Sequence, residues 1–275
     1  LNPALAGCST GPGDAVFDQE ESTGIPMDPF GFTRSRICHS YALIAPPSHV
    51  EAPLPNWINS SGVILIAPRM GAGFCQFAAL MGPESAAAAP APGIERFVFV
   101  EQGRCALDVA GSREDLAQGG FAFIPADCEH LLASTAGCRL TVFEKPYVPL
   151  AGVSAPQPVS GREQTVSAEP FMGDPDAMLK TLLPDAPEFD LAVNLFEFAP
   201  GAALPMVEVH VMEHGLLMVQ GKGIYRLGDD WHPVQRGDVI WMAPFCPQWF
   251  TAVGKEPARY LYYKDVGRNP LGSSA

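Results

Sequence analysis

The stretch "EVHVMEHG", Glu208 to Gly215, gathers two histidines and two glutamates within eight residues, side chains suited to binding a divalent metal or moving a proton. On a helix, His210, Glu213 and His214 spell H-x-x-E-H, with two imidazoles one turn apart to chelate zinc and Glu213 as the base. On a strand, Glu208, His210 and His214 share one face and Glu213 turns away. The plain structural alternative is a solvated polar patch on an exposed element.

The elements around the stretch decide between these readings. The residues after His214 run "GLLMVQGKGIYRLG", and Gly215, Gly221 and Gly223 would each cost a helix interior about 1 kcal/mol. A strand is expected, with Glu213 facing outward and dispensable for metal and activity. From a strand inside a closed barrel, Glu208, His210 and His214 can converge on one point, and a fourth ligand must come from elsewhere.

The rest of the chain agrees with strands. Twenty-eight prolines and twenty-seven glycines cut it into short β-branched or aromatic pieces such as "GVILIAP", "RFVFVEQG", "DVIWMAP" and "RYLYYKD", so an all-β architecture follows. The best helical candidate is "DPDAMLKTLL", Asp174 to Leu183. Residues 1–30 read as an irregular arm, and the Pro-, Gly- and Ser-rich residues 151–164 as a linker. Setting Gly103 against Gly221 also brings Gly119 onto Gly237 and His130 onto Gln248, all at an offset of 118 residues. This spacing predicts two copies of one β-barrel module, over 31–150 and 165–275.

Composition narrows the partners. A formal charge of −13 repels phosphate backbones and anionic lipid, which excludes nucleic acid as the main partner, and no apolar run approaches membrane-spanning length. The seven cysteines show no C-x-x-C spacing, so neither a zinc knuckle nor a dense disulfide framework is indicated; Cys38, Cys105 and Cys246 read as small hydrophobes. The chain opens on "LNPALAG" without methionine, as a trimmed form missing a targeting segment would.

The motifs "GAALPMVEVHVMEHGLLMVQG" (Gly201–Gly221) and "GDVIWMAPFCPQ" (Gly237–Gln248) resemble the two motifs of the cupins. The chelating positions fall on Glu208, His210 and His214, and Gln248 stands in place of the last histidine. One carboxylate, one amide oxygen and two imidazoles make a harder donor set than three histidines and a glutamate, which favours Mn(II) over zinc or copper. In the first module the corresponding places hold Pro90, Pro92 and Arg96, leaving only His130, so that module is expected to be structural; recognition of an anion by Arg96 and His130 is the lesser alternative.

The C-terminal half, "EVHVMEHGLLMVQGKGIYRLGDDWHPVQRGDVIWMAPFCPQWF" followed by "RYLYYKDVGRNPL", and the N-terminal "FTRSRICHSYALIAPPSHVEAPLPNW" and "GIERFVFVEQG" resemble the bicupin (S)-ureidoglycine aminohydrolase family, its plant-type members in particular. That resemblance implies a manganese enzyme that converts ureidoglycine and water to ureidoglycolate and ammonia in purine breakdown. It implies metal ligands Glu208, His210, His214 and Gln248, and substrate contacts at Glu208, Gln248, Tyr260 and Lys264, with Glu208 and Lys264 in the catalytic role. It also implies a homo-oligomer and, for plant-type members, the endoplasmic reticulum, with a cytoplasmic location as the alternative. In "RYLYYKD" the even positions Tyr260, Tyr262 and Lys264 share a strand face; the plain alternative for Lys264 is an exposed edge lysine. Other cupin chemistry, such as a dioxygenase or isomerase, or a storage or sugar-binding bicupin, are the rival readings.

Overall fold

In the computed structural model, residues 33–268 are described; the expected arm at 1–30 and Cys8 lie outside them. The regular structure of the described residues is almost entirely strand, with three single-turn 3-10 helices. In several of the long strands the odd and even positions go to different cores. In Ala258–Asp265, Ala258, Tyr260 and Tyr262 fill the interior of the C-terminal barrel with Phe196, Phe198, Tyr225 and Phe250, while Leu261 and Tyr263 face a second cluster. That second cluster mixes Val63, Phe74, Phe97 and Phe143 with Leu191, Val193 and Trp241, and so forms the seam between the modules. A third cluster, including Phe77, Val98, Leu107 and Leu140, fills the N-terminal barrel.

The internal repeat is visible strand by strand. The 118-residue offset that aligns Gly103 with Gly221 also lays Ser112–Ala117 on Asp230–Gln235 and His130–Ser134 on Gln248–Ala252. Gly103 and Gly221 both have positive φ, and a Cβ at either would stand 2.6 Å from a carbonyl oxygen of the neighbouring turn, so both need glycine.

The module boundaries differ from the expected ones. Strand Tyr41–Ile44, inside the first expected module, pairs with Val239–Met242 at the edge of the C-terminal sheet. Strand Val159–Arg162, inside the expected linker, pairs with Gly120–Ile124 of the N-terminal sheet. These two strands are themselves 118 residues apart, so each module gives the equivalent early strand to the other. An exposed sheet edge is a liability unless covered, and the exchange covers one edge in each half.

Two local expectations also change. Asp174–Thr181 is a strand rather than a helix, paired with Leu191–Phe198 on one side and with Glu169–Phe171 on the other. Met172 and Gly173, both at positive φ, make the turn between them, and Ala177 and Leu179 reach the barrel core. Among the hydrophobe-like cysteines, Cys105 and Cys246 are buried but Cys38 is exposed; all six described cysteines are free. Among the described residues no helix is long and apolar enough to cross a membrane.

Candidate active site

The C-terminal barrel opens on a cleft of 150 Å³ lined by Glu208, His210, His214, Gln248, Tyr260 and Lys264, with Phe196, Tyr225 and Tyr262 among its walls. Every residue expected in the site therefore lines one cleft. Three elements place them. His214 begins the strand His214–Gln220, and Lys264 is its cross-strand partner in Ala258–Asp265. Gln248 begins Gln248–Ala252. Glu208 lies outside any strand but forms an isolated two-residue bridge with Gln248, exchanging N–H···O bonds of 2.8 and 2.9 Å, so the two side chains rise on one side.

The segment between Glu208 and Glu213 is irregular where a continuous strand was expected. The Phe245 N–H donates to the His210 carbonyl at 2.7 Å. His210 thus reaches the cleft from a loop, while His214 reaches it from the ladder.

The protonation pattern of the two imidazoles follows from their partners. Nδ1 of His210 lies 3.1 Å from the Met212 carbonyl oxygen, and Nδ1 of His214 lies 3.2 Å from that of Tyr263. A carbonyl only accepts, so each Nδ1 carries a proton, and in a neutral ring of this tautomer Nε2 keeps the lone pair. Burial, then the neighbouring His210, pushes the His214 pKa down to about 3, which keeps that ring neutral. The two Nε2 atoms face one another at 3.1 Å, close to the separation of roughly 3 Å between neighbouring ligands that each lie about 2.1 Å from one ion. Two opposed lone pairs are stabilised by a cation between them, and carbonyl-oriented imidazoles are the usual form of metal-bound histidine.

Gln248 is buried, with its amide nitrogen 2.9 Å from Nε2 of His210 and its Oε1 accepting from the Tyr225 hydroxyl at 3.3 Å. Turning the amide over brings its oxygen to the imidazoles and its NH2 to the phenol oxygen, which can accept. Burial raises the Glu208 carboxyl, and His210 and Lys264 pull it back. Among the described residues no three His, Cys, Asp or Glu side chains close into a full ligand set; the convergence is two imidazoles and an amide, with Glu208 lining the same cleft. These donors fit a divalent ion.

Tyr225 and Asn194 lie in this neighbourhood and were not singled out from the sequence. Tyr225, from the neighbouring strand Lys222–Leu227, is held at Gln248, and Asn194 Nδ2 donates to the Tyr262 hydroxyl at 3.1 Å. Barrel-facing alternation in "KGIYRL" is the only sequence signal for Tyr225.

Glu213 faces away from the ligands, as alternation requires, but into the seam rather than outward. It is buried, and its carboxylate accepts from the Gly73 N–H at 2.9 and 3.1 Å and from Trp241 Nε1 at 3.3 Å.

The equivalent place in the N-terminal barrel is filled by a fixed cation. Arg96, 2% exposed, stands where His214 stands in the repeat. Its guanidinium pairs with Glu144, donates to the Ala88 carbonyl at 2.9 Å, lies 3.0 Å from Nε2 of His130 and sits over Trp57 at 5.3 Å. Arg96 and His130 are thus spent on each other and on protein groups, which favours the structural role. A wider cleft of 750 Å³ elsewhere, lined in part by Glu101, Arg139, Glu163 and Arg259, shares no residue with the histidine-lined one. Its Arg139 and Arg259 are paired to Glu101 and to Glu163 and Glu197.

The comparisons with known proteins agree with this architecture. Residues 194–263 match the family model for the Cupin domain. The Oryza sativa subsp. japonica protein named "Probable (S)-ureidoglycine aminohydrolase" is 43% identical over 88% of this chain and 78% of its own length. The Arabidopsis thaliana protein named (S)-ureidoglycine aminohydrolase is 42% identical over 88% of this chain and 80% of its own. The crystal structure of the Escherichia coli protein Ylba superposes with a TM-score of 0.77 at 28% identity, covering 86% of this chain and 96% of that one. With two barrels of this type, and relatives at this level of identity over most of its length, the chain belongs to the (S)-ureidoglycine aminohydrolase family of cupin enzymes.

Proposed function

We propose that the protein hydrolyses (S)-ureidoglycine to (S)-ureidoglycolate and ammonia with Mn(II) as cofactor, a step of ureide breakdown in purine catabolism. The observation that carries this reading is the pair of Nε2 atoms of His210 and His214 facing one another at 3.1 Å, each ring held from behind by a carbonyl at Nδ1, beside the side chains of Gln248, Glu208 and Lys264 in one small cleft. His210, His214, Gln248 and Glu208 would hold the ion, and their mixed oxygen and nitrogen donors suit manganese. Bound there, the ion supplies Lewis acidity toward a chelating amine and carboxylate.

The remaining steps belong to the side chains. Lys264, opposite His214, neutralises the substrate carboxylate through a charge-assisted hydrogen bond. The Tyr260 hydroxyl, whose pKa burial holds well above its usual value, remains a neutral donor to the same anion. Glu208, with its carboxyl raised by burial, takes a proton from water and passes one to the departing amine. The ureido nitrogen pushes electrons toward the reacting carbon, ammonia leaves, and water adds to the resulting imine. The aromatic walls Phe196 and Tyr225 keep bulk water away. Family likeness supports a homo-oligomer as the working form. Ammonia release from freshly made ureidoglycine, with manganese and after its removal by chelator, tests the reading; release that is equal in both conditions would refute metal dependence.

A further inference from the structure

We infer that Glu213 is a positioning residue through which the module without a metal centre holds the ligand-bearing segment of its sister in place. This rests on the metal-centre reading above and deepens it. The segment from Val209 to Glu213 belongs to no strand, yet it carries His210 and ends against His214. The Met212 carbonyl orients His210 through Nδ1, so the peptide just before Glu213 sets one imidazole and the peptide just after it leads to the other. Whatever fixes Glu213 therefore fixes the carbonyl that orients His210 and the point at which the loop joins the ladder at His214, whose own ring is oriented by Tyr263.

Glu213 is fixed from two sides. Its N–H donates to Asp265 Oδ1 at 2.6 Å, next to Lys264 in the ladder. Its carboxylate crosses the seam to the Gly73 N–H, with a further bond from Trp241. The fit at Gly73 is tight, because a Cβ there would stand 2.6 Å from Glu213 Oε1. Trp241 is in turn backed by Gly71, whose Cβ would meet the indole at 3.3 Å. Burying a carboxylate is costly, and an apolar residue would fill a seam with less penalty. Such expense is repaid where a buried polar group must set one geometry, as the partners of metal-bound histidines do.

The test uses the full chain with Glu213→Ala, Glu213→Gln and Gly73→Ala, the last removing nothing from the C-terminal module. Manganese affinity is measured by chelator competition, and amide hydrogen exchange over 208–213 is followed in the metal-free proteins. The expected result is a loss of about 10- to 100-fold in manganese affinity for Glu213→Ala and Gly73→Ala. Exchange at 208–213 should be faster, with that of Ala258–Asp265 unchanged. Glu213→Gln, which keeps one acceptor for Gly73 but turns an NH2 toward another donor, falls between. Exchange at 208–213 equal to the parent in Gly73→Ala and Glu213→Gln overturns the inference, and these two decide it should Glu213→Ala fail to fold. If the parent binds no manganese while exchange still rises, the metal reading fails and the positioning role stands.

Discussion

Lys264 is the cross-strand partner of His214, so an ammonium and a neutral imidazole stand side by side on the barrel-facing side of two paired strands. The pairing places a fixed positive charge next to the proposed metal centre without making it a ligand. Lys264→Ala is therefore expected to raise KM by roughly 10- to 100-fold, the equivalent of a charge-assisted bond worth about 1.5–3 kcal/mol, with metal content intact. Steady-state kinetics together with elemental analysis checks this; an unchanged KM and kcat would remove Lys264 from the site.

His210→Ala and Glu208→Ala are expected to abolish stoichiometric manganese and activity together. Manganese at about 100 times its dissociation constant should stabilise the parent by roughly 2.7 kcal/mol and leave the variants unmoved. Thermal unfolding with and without the ion is the measurement.

The N-terminal barrel makes the opposite case. Arg96→Ala leaves Glu144 and the Ala88 carbonyl in the barrel without their donor, and a loss of roughly 3 kcal/mol is expected from breaking a buried pair. Manganese stoichiometry stays at the parental value. Denaturant unfolding and metal analysis on the same preparation separate the two effects, and a loss of manganese would give this barrel a part in metal binding.

A pH effect follows from the seam. Glu95 and Asp190 are buried around the Lys145 ammonium, and burial, followed by the nearby Asp190, pushes the Glu95 pKa up to about 9 from an ordinary 4.5. Between these values the folded protein holds a proton that the unfolded chain has released. The stability this group contributes is complete below pH 4.5 and is lost as pH rises toward 9, at up to about 1.4 kcal/mol per pH unit. Glu95→Gln, permanently neutral, should flatten that decline in denaturant titrations across the window. An identical slope in parent and variant would show that Glu95 is not the titrating group.

Much of the site could be read from alternation and spacing. The even positions of "RYLYYKD" bring Tyr260, Tyr262 and Lys264 to the cleft, and the offset between Gly103 and Gly221 carries through paired strands in both barrels. What escaped depends on partners far along the chain. The surroundings of Glu213 come from Gly73 and Trp241, which no local pattern connects to it. "DPDAMLKTLL" has helical composition, but the turn at Met172–Gly173 and two flanking strands decide its conformation. The irregular path from Glu208 to Glu213 was hidden because its polar spacing fits a strand equally well.

The reciprocal loan of Tyr41–Ile44 and Val159–Arg162 makes the two barrels a single inheritance. A catalytic cassette cut from 165–275 would leave behind the strand that pairs with Val239–Met242, and the remaining piece would lose nothing catalytic yet could not be discarded. The N-terminal module is in this way structurally required by its sister, because residues 165–275 alone lack the strand that covers the sheet edge at Val239–Met242.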